Sequence, residues 1–230
     1  VPAYHRTVVA RTEAGPAGTA RSIARVDDWF HGFEVALDVR DGQVVGAEAS
    51  TDKHPWTTCP GALTSVKELR GSVLDAGSAI MAAPRSGTCV HVNDLVTLAA
   101  KQHQSRHYEM FVTTRDAQLR RDGEPTLQWR LRNWSIEGTG ALAGLGMSDP
   151  RWAEKLDSVG ASDDLREAIK ILRRGVLVAI GYYVIEWRRI HLATEVEPAY
   201  MDGTCHTFSE PNVSRATSLV AVPDRRARPR

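Results

Sequence analysis

The sequence predicts an α+β fold: an antiparallel β-sheet, built from N-terminal hairpins and later strands, packed against several helices. Three observations carry this expectation. Residues 29–40 alternate apolar and polar with a period of two, Asp41-Gly42 follows at once as a two-residue hairpin turn, and residues 165–183 carry apolar side chains at helical spacing.

Taken in order, residues 7–12 and 19–26 are short β-type runs separated by the loop Gly15-Pro16-Ala17-Gly18. In the strand over 29–40 the odd positions Trp29, His31, Phe33, Val35, Leu37 and Val39 form one face, apolar apart from the histidine. Glu34, Asp38 and Arg40 lie on the other. The return strand runs from Gln43 to about Thr51. Prolines 55 and 60 close the strand region, and a short helix spans 61–69 before Gly71. A second helix starts at His91 or Val92 and runs to His103. Strands resume at 108–114 and 127–136, joined by a charged loop over 115–125. Asp149-Pro150 opens one helix, and Ser162-Asp163-Asp164 opens another that continues to about Trp187. Gly175 and Gly181 in that last helix suit close packing against the sheet.

Composition bounds the function. The chain has 230 residues, 42% of them hydrophobic and 25% charged, as in an ordinary soluble globular protein. A net charge of +1 excludes a nucleic-acid or membrane-surface partner held by bulk charge. The apolar run over 176–185 falls well short of the ~20 residues of a membrane span. No charged-then-apolar leader opens the chain, and the three cysteines, Cys59, Cys89 and Cys205, are widely spaced with no C-x-x-C. Both features point to a reducing cytoplasm and no disulfide framework. A single domain is expected over 1–222, followed by a disordered basic tail over 223–230, with oligomerisation left open. Gly-rich phosphate loops, G-x-S-x-G and H-E-x-x-H are all absent, so no organic cofactor is indicated. If the protein is an enzyme, its own side chains must then do acid–base or nucleophilic work, with or without a metal, which points to lyases, isomerases and hydrolases.

The candidate chemistry centres on His31. With Arg40 facing Gln43, a regular hairpin sets Asp52 across from His31 and His54 across from Trp29. Opposed residues have Cβ atoms ~5 Å apart, so Asp52 would fix the tautomer of a buried imidazole, as a general base requires. The same register puts Glu48 opposite Val35, which requires either an opening in that face or a slip of register. Cys59 stands at the start of a helix, where its thiol pKa would be lowered. Cys89 and His91 stand at the start of the next. His31, Asp52, Cys59 and His91 are therefore the candidate catalytic residues. Asp28, Trp29, Phe30, His54, Trp56 and Cys89 are candidates for lining the substrate site. His31, Cys59, Cys89 and His91 form an alternative nitrogen–sulfur set of the kind zinc accepts.

Four blocks of residues carry a resemblance. Asp27-Asp28-Trp29-Phe30-His31-Gly32-Phe33, Pro55-Trp56-Thr57-Thr58-Cys59-Pro60-Gly61-Ala62, Cys89-Val90-His91 and Cys205-His206-Thr207-Phe208 follow in order. Together they resemble a bacterial family catalogued as domain of unknown function 2889. Family members tend to have a hydroxyl residue where Val90 stands, and many have no histidine at the place of His54. The resemblance implies recurring His31, Cys59, Cys89, His91 and Cys205, and supplies no reaction. A weaker similarity is to iron–sulfur scaffold proteins, which also place an antiparallel sheet before helices and gather Cys, Asp and His in loops.

The expected function is a cofactor-independent lyase, doing acid–base elimination with C–C or C–O cleavage on a small apolar or aromatic molecule. His31 takes a proton, and His91 or Cys59 serves the leaving fragment. The alternatives are a hydrolase with a cysteine nucleophile and a non-catalytic metal-binding or cluster-scaffold protein.

Overall fold

In the computed structural model the described residues are 3–74, 88–185, 189–196 and 205–220. The expected basic tail over 223–230 and Trp187 lie outside them. The chain divides into two compact units, one of Val8–Arg106 with Glu186–Arg230, the other of Val1–Thr7 with His107–Ile185. The division falls inside the first strand, where composition carries no linker signal. The fold is α+β. Among the described residues no helix is long and apolar enough to cross a membrane.

In the larger unit, strands β1 (Tyr4–Ala14), β2 (Ala20–Asp28), β3 (Gly32–Arg40) and β4 (Gln43–Lys53) lie in the order β4-β3-β2-β1. The period of two in β3 shows directly in burial: Phe33, Val35, Leu37 and Val39 are buried, whereas Arg40 is exposed. Helix α1 (Val90–Ala100) packs against β2 and β3 and buries Val92, Leu95, Val96 and Ala99. The Ser22 hydroxyl donates to the Ala99 carbonyl at 2.6 Å and ties helix to sheet. A 3₁₀ helix over Cys59–Leu69 buries Ala62, Val66 and Leu69 and packs on β4. Burying each large apolar side chain of this layer contributes about 1.5–3 kcal/mol.

The Asp41-Gly42 turn forms as expected, with φ of 50° and 73° and Arg40 opposite Gln43. The register beyond it does not stay regular. It shifts by one between Val39 and Asp38, so Asp38 faces Gly46 and Ala36 faces Glu48, and shifts again between Phe33 and Gly32, so Gly32 faces Lys53. The physical reason is charge. A regular hairpin would drive the Glu48 carboxylate into the face of Val35, at a desolvation cost that a bulge avoids. Displaced by one residue, Glu48 reaches Arg21 at 2.7 Å on the solvent side.

The smaller unit carries the strand order β1-β5-β6-β7-β8, with β5 (Ser105–Val112), β6 (Asp116–Arg121), β7 (Glu124–Arg132) and β8 (Ser135–Glu137). Two helices follow, α2 (Trp152–Ser158) and α3 (Asp163–Val184). Most of the expected charged loop over 115–125 is the strand β6. Its only apolar positions, Ala117 and Leu119, are buried, and Asp122-Gly123 makes its turn with φ of 52° and 89°. The expected strand over 127–136 is broken by a turn at Asn133-Trp134, both with positive φ. Ser162 caps α3 by accepting from the Leu165 N–H at 3.3 Å, and the helix ends at Val184 rather than near Trp187.

Candidate active site

All the residues of the candidate site belong to the larger unit. Its base is the three-residue connection from β2 to β3. Asp28 ends β2, and its N–H donates to the His31 carbonyl at 2.8 Å. The Asp28 carboxylate turns back over the connection and accepts from the N–H of Phe30 at 2.7 Å and of His31 at 2.9 Å. An aspartate that bonds the backbone two and three residues on is what stabilises such a turn locally. The same carboxylate contacts the His31 ring, with Nδ1 at 3.0 Å from Oδ1 and 3.2 Å from Oδ2. The Asp28 side chain is wholly buried and that of His31 is 11% exposed. A carboxylate in that position takes the Nδ1 proton as its hydrogen bond and leaves Nε2 as the basic nitrogen.

The first turn of α1 supplies the second imidazole. His91 is buried, and its ring centroid lies 4.1 Å from that of His31, with the planes 52° apart. Aromatic rings border the pair: Phe30 stands edge-on to His31 at 5.9 Å, and Phe33 lies 5.9 Å from His31 and 6.3 Å from His91. His54 is half-buried, within 3.5 Å of the Thr51 hydroxyl. Burial and the neighbouring charge of His31 hold its pKa below the usual histidine value.

The remaining candidates lie elsewhere. Asp52 is not the partner of His31, because the first register shift, between Val39 and Asp38, carries it to the solvent face beside Gly32. There it accepts from Arg25 at 2.7 Å, and that hydrogen bond holds its carboxyl below the usual range. Trp29 is 42% exposed at the tip of the β2–β3 connection. Trp56 is buried edge-on against Phe208 at 5.6 Å. Cys59 begins the 3₁₀ helix as expected, yet its thiol is not activated. Burial pushes it up to about 11, against a smaller lowering by the Thr207 hydroxyl 3.5 Å away. Burial likewise pushes Cys89, at the N-cap of α1, up to about 12. A helix N-terminus lowers a thiol pKa only where the thiolate is also solvated, and here desolvation wins. Among the described residues no three His, Cys, Asp or Glu side chains stand together as a metal site, the set His31, Cys59, Cys89 and His91 included. A shallow cleft between the 3₁₀ helix and α1, lined by Ser65, Val66, Leu69, Thr88, Val92, Asn93 and Val96, includes none of the candidate residues.

One arrangement has no counterpart in the sequence reading. The C-terminal segment 205–220 clasps the Pro55–Gly61 block. Thr57 donates its N–H to the Thr217 carbonyl at 3.0 Å, and Leu219 donates to Pro55 at 2.8 Å. The hydroxyls of Thr58 and Thr207 meet at 2.9 Å. A Cβ on Gly61 would fall 2.6 Å from His206 Nε2, so the glycine of this block makes room for the His206 ring. The signal was the Cys-His-Thr-Phe block itself, but nothing in its composition says which segment it meets.

Residues 10–104 match the family model described as protein of unknown function (DUF2889). The resemblance to this family is thereby supported over residues 10–104, a stretch that contains the blocks at 27–33, 55–62 and 89–91 and not the block at 205–208. No curated protein and no solved structure matches the chain.

Proposed function

We propose that this protein is a cofactor-independent acid–base catalyst of the lyase type, acting on a small apolar or aromatic molecule through His31 and His91. The observation that carries the reading is the buried chain of Asp28, His31 and His91, a carboxylate-oriented imidazole set 4.1 Å from a second imidazole. Elimination needs a base to take a proton from carbon and an acid to protonate the departing fragment, and two adjacent imidazoles offer one group for each role. Asp28 takes the orienting part assigned from the sequence to Asp52. Phe30 and Phe33 supply apolar walls for an aromatic ring. The raised Cys59 and Cys89 thiols speak against a cysteine-nucleophile hydrolase, whose nucleophile must be readily deprotonated.

The test does not require the natural substrate. Wild-type protein is incubated in deuterium oxide with a panel of aryl ketones and aryl β-hydroxy carbonyl compounds, and proton NMR follows exchange at the acidic carbon and release of a small fragment. Wild type is expected to catalyse exchange or cleavage of at least one member, and His31→Asn to slow it by at least ~10²-fold with an unchanged circular dichroism spectrum. A wild type inert toward the whole panel, or a variant of equal rate, would overturn the reading.

A further inference from the structure

The chain has three cysteines, and the fold brings all of them into one neighbourhood of the larger unit from three distant segments. Cys59 opens the 3₁₀ helix, Cys89 is the N-cap of α1, and Cys205 opens the C-terminal clasp. One backbone hydrogen bond joins two of these segments. The His206 N–H donates to the Thr88 carbonyl at 3.2 Å, which sets Cys205 and Cys89 at flanking positions of one backbone hydrogen bond. In an antiparallel ladder the opposed residues beside such a bond lie about 4.5–5.5 Å apart, inside the Cα separation that a disulfide spans. The thiolate charge of Cys205 is felt at both other thiols, ahead of Cys59 at Cys89. None of the three is in a disulfide, and Cys89 is buried whereas Cys205 is partly exposed.

We propose that Cys205 and Cys89 are a peroxide-oxidisable pair whose disulfide locks the C-terminal segment onto the start of α1. Cys205, within reach of solvent, attacks one peroxide oxygen. The O–O bond breaks, water leaves, and the sulfur becomes a sulfenic acid. The Cys89 thiol is a slow nucleophile because burial keeps it protonated; over hours it attacks that sulfur, the S–OH bond breaks, and a second water departs with the Cys89 proton. Two thiols are thus oxidised by one peroxide, which is reduced to two waters. Cys59 stays a thiol, held by the Thr207 hydroxyl.

The experiment uses the full chain. Reduced protein is treated with hydrogen peroxide at neutral pH for several hours, unfolded, alkylated and examined by intact and peptide mass spectrometry without reduction. The expected result is the loss of two hydrogens, a fall from three alkylated thiols to one, and a linked peptide pair containing Cys89 and Cys205. The Cys59→Ser variant should give the same linked pair, and Cys205→Ser should give none. A linked pair that contains Cys59, or three thiols still alkylated after treatment, would overturn the assignment. So would sulfinate on Cys205 with Cys89 still alkylated. Because the readout is a covalent mass, its failure is separable from that of the acid–base reading.

Discussion

Two aspartates of similar sequence standing have opposite physical roles. Asp28 is buried and satisfies two backbone N–H groups and an imidazole, so removing it strands three partners in a dry site. Asp52 is an exposed partner of Arg25, and such surface pairs contribute little. Asp28→Ala should therefore destabilise the protein by about 2–3 kcal/mol in urea unfolding, and Asp52→Ala by less than ~1 kcal/mol. Equal losses would restore Asp52 to the site. His54 adds a pH dependence. Its folded-state pKa is depressed, so the unfolded chain binds the proton more readily, and stability is full above the ordinary histidine value near 6.5. That stability is lost as pH falls from there through the depressed folded value. His54→Gln should flatten the fall in Tm that the parent shows below about pH 6.5, and an unchanged slope would place the proton elsewhere.

At the scale of elements, the two glycines of α3 separate packing from propensity. A Cβ at Gly175 would fall 2.7 Å from the Met110 sulfur, and Met110 is wholly buried. A Cβ at Gly181 would meet only the Ile185 Cδ1, at an ordinary 3.7 Å. Only the first glycine answers the expectation of close packing on the sheet. Replacing a mid-helix glycine with alanine gains up to ~1 kcal/mol, whereas overpacking a core costs about 1–3 kcal/mol. Gly181→Ala should raise the midpoint of thermal unfolding and Gly175→Ala should lower it, and a rise in both would mean that Met110 yields freely. The same elements show where sequence is legible. Strand β3, its turn and the capped start of α3 were readable because each has a local cause: alternation, a DG pair, a serine cap. Strand β6 was not, because only Ala117 and Leu119 mark its buried face among charges. The register of β4 was not, because a bulge depends on where Glu48 and Asp52 can be solvated in three dimensions. His31 and His91 were readable as candidates from their neighbours, whereas the identity of the orienting aspartate hung on that unread bulge.

At the scale of the molecule, the matched stretch and the folded unit are different objects. The family match ends at residue 104, yet the unit that holds His31 and His91 includes the segment 205–220, contributed from the far end of the chain. That segment buries Phe208 against Trp56, pairs Thr217 with Thr57, and seats His206 over Gly61. If it is part of the core, disturbing it must loosen residues distant in sequence. If it is an appendage, only the segment itself should respond. Phe208 is 4% exposed, so Phe208→Ala should cost about 3–5 kcal/mol, the range for a phenylalanine removed from a packed interior. Peptide-resolved hydrogen exchange distinguishes the two cases, because amides of one cooperative unit share its opening free energy. The expected outcome is faster exchange in Phe208→Ala across β3, β4 and the 3₁₀ helix as well as across 205–220, with residues 107–185 little changed. Loss of protection confined to 205–220 would show that the clasp closes over a unit already stable without it.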